Sequence, residues 1–226
     1  MTHPNEKPRT DYQMPIGSEA SEELCALGES LRNVIDAMLR IDESHDDLTW
    51  AREQLDAVTE RLRRHGCAEN AVRLGVPGDP EVGRPYAFKG VFIPAHNPLA
   101  MQVDFSFEGN VLHGTTTLGV AFEGPPGCVH GGHVAALFDQ ILGQHNLSTG
   151  IPAMTGTLTV RFRRPTPLFT ELRFEARTRS REGRKIITEG WLKAGDEVTA
   201  EAEGLFILPR KDRLLIPGHG QTDVKK

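Results

Sequence analysis

The stretch VHGGHVAALFDQILGQHN, residues 129–146, decides how this chain folds. It is a helix-patterned segment set among strand-patterned ones. On a wheel of about 100° per residue, Val134, Leu137, Phe138, Ile141 and Leu142 share one stripe, which has to be buried. The opposite face carries Gly132, Ala136, Asp139 and Gly143, where a water-facing helix would carry Lys, Glu and Gln. Residues so small imply that a ligand or another chain comes close. A lone carboxylate in such a lane is partly desolvated, which is how an acid becomes a usable base or nucleophile. The alternative is that Asp139 pairs with an Arg across a dimer interface. At the helix start, Gly131 and Gly132 expose backbone N–H groups that lack intrahelical partners, and no side chain blocks access. The N–H of Gly132 is expected to stand free, where it can polarise a carbonyl oxygen at the positive end of the helix dipole. His130 reads either as a base or as a cap.

Outward from the helix the period changes to two. Val103, Phe105 and Phe107 alternate with Asp104 and Ser106, and Gly109–Asn110 turns the chain into a second strand expected over 111–122. The run Gly124–Pro125–Pro126–Gly127 forces an irregular loop before the helix. Four more strands are expected over 155–163, 168–180, 185–193 and 197–208. The order β-β-α-β-β-β-β predicts an α+β domain over 100–210, with one antiparallel sheet wrapped on a single central helix.

The amino-terminal half reads differently. Residues 1–18 are polar and proline-bearing, a flexible tail, and 211–226 form a second tail. Between them and the sheet, Leu24, Leu27, Leu31, Val34 and Met38, then Leu48, Leu55, Val58 and Leu62, recur at helical steps. This predicts a helical hairpin over 19–66 whose apolar stripes are buried against each other, the main domain or another subunit. Residues 67–99 are a Pro/Gly-rich linker. A formal net charge of -5 argues against nucleic acid or an anionic membrane as partner. Cys25, Cys67 and Cys128 are odd in number and lack CxxC spacing, so neither a disulfide framework nor a metal site is expected. The absence of an apolar leader or a long apolar span predicts a cytoplasmic protein.

Taken together, Val129–His130–Gly131–Gly132, then Ala135, Asp139 and Gly143, then Met154–Thr155 leading to Arg163–Arg164–Pro165 and Pro167–Leu168, resemble the hotdog thioesterase superfamily. The likeness is to the phenylacetate-pathway and acyl-CoA thioesterase type and spans residues 100–208. It implies a hotdog fold with an amino-terminal helical extension, and hydrolysis of an acyl-CoA to free acid and coenzyme A without a cofactor. It also implies a homodimer or homotetramer in which each site draws on two chains. By this resemblance Asp139, nine residues after His130, activates water or attacks directly. Gly132 supplies the oxyanion donor, and Thr155 holds the nucleophile or water. Coenzyme A brings phosphates, for which Arg164, Arg184 and Lys185 are candidate contacts beside Arg161 and Arg163. Gly131, Ala136 and Gly143 line the substrate lane. His133 and His145 could each be mistaken for a base, but His133 has no matching role to carry over, and Gln140 reads as a polar neighbour of Asp139. A non-catalytic acyl-CoA or fatty-acyl binding protein is the alternative; a hotdog hydratase lacks the paired acid and histidine it would need.

Overall fold

The computed structural model describes residues 21–66, 96–151 and 153–208. Both expected tails, and the expected linker as far as residue 95, lie outside the described residues. The chain divides into two compact units, one built on the sheet and one holding the amino-terminal helices.

In the sheet unit the expected element order is observed: β1 (Val103–Glu108), β2 (Val111–Thr117), helix α3 (Gly131–Ser148), then β3 (Met154–Phe162), β4 (Glu171–Glu182), β5 (Lys185–Ala194) and β6 (Glu197–Ile207). All neighbours are antiparallel, in the order β1-β2-β4-β5-β6-β3. The turn glycines Gly109, Gly183 and Gly195 take positive φ between successive strands, a conformation that side chains resist. This is the hotdog arrangement, and it leaves β3 as an edge strand.

Two strand boundaries differ from expectation. The second strand stops at Thr117 and gives way to a short 3-10 turn at Val120–Phe122. The fourth starts at Glu171, not at 168. One set of bonds explains both. Leu168 donates its N–H to the Gly127 carbonyl and Phe169 donates to that of Leu118, so these backbone groups are satisfied away from the sheet. Phe169 sits at φ 55, outside strand geometry.

The predicted stripe of α3 is the core: Val134, Leu137, Phe138, Ile141 and Leu142 are all buried. They face alternate residues of the strands, Ile186 and Leu192 on β5 and Ala200, Ala202 and Phe206 on β6, all equally buried. The helix sits close because glycine lies beneath it. A Cβ on Gly190 would stand 3.0 Å from Leu142 Cδ2, and one on Gly204 would stand 3.3 Å from Leu142 Cδ1. Near the carboxy-terminal end of α3, Asn146 Oδ1 accepts from Thr188 Oγ1 at 2.8 Å and His145 Nε2 lies 2.9 Å from the Asn110 carbonyl. The other sheet face is charged. Arg177 meets Glu189 at 2.8 Å while lying over the Trp191 ring, Lys193 meets Glu175 at 3.0 Å, and Arg179 meets Glu203. Such exposed pairs add little stability singly.

The other unit contains α1 (Glu22–Leu39) and α2 (Asp47–Arg63). Ser21 caps α1 by accepting from the Leu24 N–H at 3.2 Å, and Glu22 and Glu23 complement the helix dipole. Gly28 is the one buried residue of α1: a Cβ there would fall 2.5 Å from the His96 carbonyl oxygen. Arg32 holds the same segment by donating to the Asn97 carbonyl at 3.3 Å. The expectation that both apolar stripes are buried is not met within the chain. No residue of α2 is buried, and Leu24, Val34 and Met38 on α1 are exposed. Among the described residues no helix is long and apolar enough to cross a membrane.

Candidate functional site

The segment before α3 is pinned on two sides. His130 donates its N–H to the Phe122 carbonyl, and Val129 donates to that of Thr166. This fixes where the helix begins. His130 is the N-cap residue, in extended conformation, and its Nδ1 accepts from the Gly132 N–H at 3.0 Å. With Nδ1 accepting, a neutral ring carries its proton on Nε2. The expectation that the Gly132 N–H stands free is therefore corrected: the histidine ring of the cap takes it. The first amide of the helix, that of Gly131, has no partner among the described residues and points along the positive end of the dipole. The exposed Phe162 ring lies against it, since a Cβ on Gly131 would come within 3.3 Å of Phe162 Cζ. The sequence signal was present, because either glycine of the pair could offer the amide; which one depends on the cap.

Two turns further along α3 stands Asp139, half-buried, with Ala136 and Gly143 beside it in the lane. A Cβ on Gly143 would meet nothing within 4 Å, so the lane is open on that side of the helix. Thr155 Oγ1 donates to Asp139 Oδ1 at 2.7 Å, the short distance of a hydrogen bond to a carboxylate. A β-bulge makes this contact possible. Thr155 pairs with Phe206 and Thr157 pairs with Leu205, leaving Gly156 as the extra residue. Upstream of the bulge the odd-numbered Thr155 shares the helix side with Phe206; downstream the even-numbered Leu158, Val160 and Phe162 do. Without the extra residue one of the two sets would turn to the other face. Sequence reading missed the bulge, although a glycine inside a strand pattern is its usual sign.

The structure thus brings Asp139, Thr155, Gly131 and His130 to one side of α3, and it separates the basic candidates. Arg164 donates its backbone N–H to the Thr199 carbonyl at one end of β6, and its side chain lies 3.6 Å from Glu197. Lys185 pairs with Ile207 at the other end, where Arg184 Nη1 donates to the Leu208 carbonyl at 3.0 Å. Eight residues of strand separate the two ends, about 26 Å at roughly 3.3 Å per residue. A single phosphate cluster cannot meet both sets within one chain. Arg163 is engaged with Glu201 at 2.5 Å. Among the described residues no three His, Cys, Asp or Glu side chains gather as metal ligands.

His133 packs edge-on against Phe122, with ring centroids 5.2 Å apart, and lies 6.0 Å from His130. Burial first, and the neighbouring His130 second, hold its pKa below the ordinary histidine range. A lowered folded-state value means that the unfolded chain binds the proton more readily. This contribution to stability is therefore complete above about pH 6.5 and is lost as pH falls from there towards the folded value. Urea unfolding at pH 7.5 and 5.5 should show a smaller pH-dependent loss in His133→Gln than in the parent. Equal losses in both proteins would contradict the assignment.

Comparison with known proteins agrees with this geometry. A family model described as the thioesterase superfamily matches residues 126–201, which takes in α3 and most of β3 to β6. A crystal structure of a thioesterase superfamily protein is 34% identical, with a TM-score of 0.74, and the match covers 85% of this chain and 98% of that one. Coverage that large exceeds what residues 103–226 alone can supply, so the likeness extends into the preceding half. The chain belongs to the thioesterase superfamily. Among curated relatives, acyl-coenzyme A thioesterase THEM4 of Mus musculus is 35% identical over 39% of this chain and 39% of its own length. The Bos taurus protein of the same name is 37% identical over 39% of this chain and 37% of its own. The chain therefore spans about two fifths of the curated relatives it matches.

Proposed function

We propose that this chain hydrolyses the thioester of an acyl-coenzyme A, releasing the carboxylic acid and the free thiol. The observation that carries the reading is the Thr155–Asp139 hydrogen bond of 2.7 Å, in the same open lane as the unpartnered Gly131 amide. The thioester carbonyl oxygen accepts from Gly131 N–H, so the charge that develops on it in the tetrahedral intermediate meets a donor already in place. The His130 ring fixes the helix start by holding Gly132. Asp139 acts on the carbonyl carbon from the opposite side, through a water whose proton it takes or by direct attack, and Thr155 keeps the carboxylate aimed. Collapse of the intermediate expels the coenzyme A thiolate, which takes the proton Asp139 has drawn from the water; on the direct-attack route an acyl–Asp139 anhydride remains, and a water then hydrolyses it, releasing the acid, restoring the carboxylate and supplying the thiol proton.

The name of the THEM4 relatives supports the acyl-CoA substrate. A site completed by a second chain is supported by the edge position of β3, whose Met154 and Phe162 are exposed at 67% and 56%.

Thiol release from acyl-CoAs by the purified chain tests the reading, and Thr155→Val tests its geometry. The valine keeps the strand shape and removes the hydroxyl, so kcat should fall about tenfold, the scale of one hydrogen bond to a charged group. Binding of acyl-CoA without any thiol release by the parent would turn the assignment into that of a binding protein.

A further inference from the structure

We propose that α1 and α2 form a swapped helical clasp, α1 of one chain pairing antiparallel with α2 of a second copy of this chain. The spacing comes first. Leu24, Leu31 and Met38 are seven residues apart on α1, and Leu27 and Val34 fall between them at the alternating three- and four-residue steps of a coiled-coil seam. On α2, Leu48, Leu55 and Leu62 are seven apart, with Ala51 and Val58 between. A seam of this period is filled by the knobs of another helix and by little else.

Among the described residues both seams are left largely uncovered, although Leu27, Leu31 and Ala51 are partly buried. Val34 and Met38 are 42% and 56% exposed, Leu55 and Val58 are 38% and 41% exposed, and α2 buries nothing. The side of α1 that is covered is at Gly28, where the His96 segment crosses. A helix made stable by an apolar stripe needs that stripe covered, because a stretch of about 17 residues is marginal alone in water.

Charge selects both partner and direction. α1 begins with Glu22 and Glu23 and carries no basic residue in its last turn, its C-cap Arg40 being held by Asp36 at 2.7 Å; α2 is preceded by Asp46, begins with Asp47 and ends with Arg61, Arg63 and Arg64. Set antiparallel, the acidic start of α1 lies against the basic end of α2. Set parallel, the two acidic starts would meet. An α1 paired antiparallel with another α1 would find no basic last turn for its Glu22 and Glu23, whereas α2 offers them Arg61 and Arg63. The lengths agree, 18 and 17 residues. The seams also mesh in one register: Leu27 with Leu62, Leu31 with Val58, Val34 with Leu55, and Met38 with Ala51. Because the chain does not close this pair on itself, a copy supplies it, and two-fold symmetry then forms the pair twice.

Single-cysteine variants test this in the full chain, with Cys25, Cys67 and Cys128 replaced by Ser. Val34→Cys and Leu55→Cys are made separately, mixed and oxidised, and the double variant is oxidised alone. Both positions are exposed in the single chain, so circular dichroism should show the helices and sheet unchanged. The expected result is a covalent dimer holding one chain of each kind in the mixture, in at least tenfold excess over dimers from either variant alone. No mixed dimer, or a disulfide closed within single chains of the double variant, would overturn the clasp. Thiol release from acyl-CoA, followed on the same samples, reports separately on the proposed activity: the clasp can fail while turnover persists, and turnover can be absent while the clasp forms.

Discussion

Asp139→Asn should lower kcat for acyl-CoA hydrolysis by about 100-fold or more, roughly 2.7 kcal/mol of transition-state stabilisation, while leaving the fold intact. The amide keeps the shape of the carboxylate and still accepts from Thr155 Oγ1, the bond seen at 2.7 Å in the parent. What it loses is the negative charge that takes a proton from water or attacks carbon. Because Asp139 is half-buried on the open side of α3, away from the core stripe, its replacement removes no apolar contact. Urea unfolding should therefore give nearly the parent midpoint. KM is expected to move little, since the loss falls on a group that acts after the thioester is bound. A variant that retained parent kcat would remove Asp139 from the chemistry.

Phe138→Ala should have the largest effect on stability, about 3–5 kcal/mol by analogy with aromatic deletions in well-packed cores. Phe138 is fully buried beside Asp139 on the helix, and its ring edge lies 3.6 Å from the position a Cβ on Gly190 would take. The glycines of β5 and β6 allow α3 to sit close, so neighbouring side chains cannot slide in to fill the gap. Against a total stability of about 5–15 kcal/mol, the loss is a large share. A fall in the urea midpoint at unchanged slope is the expected reading; a change below about 1 kcal/mol would mean that the helix repacks on the sheet. Activity should fall with it, because Asp139 is placed by the seating of that helix.

Much of this was legible in the residues because period and burial are local signals. The α3 stripe and its strand neighbours follow from spacing alone, since each side chain in them has one place to go. The strand ends at Thr117 and Glu171 were not legible. They depend on Leu168 bonding Gly127 and Phe169 bonding Leu118, far apart in sequence, and backbone groups carry no side-chain signature. The Asp139–Thr155 pair was expected from family likeness, but the bulge at Gly156 that aims Thr155 had to be seen. The amide left without a partner is that of Gly131 and not that of Gly132 for a similarly local reason: His130, read as either base or cap, uses its ring to cap the helix. The amino-terminal stripes fall on the helices α1 and α2 as their spacing implies, yet spacing does not say what covers them.

The most direct measurement is product analysis for the full chain turning over an acyl-CoA in water enriched in oxygen-18. One free coenzyme A thiol and one carboxylic acid are expected for each thioester consumed, with one labelled oxygen in the acid from water. Recovery of intact acyl-CoA from the protein, or transfer of the acyl group to an acceptor other than water, would contradict hydrolysis.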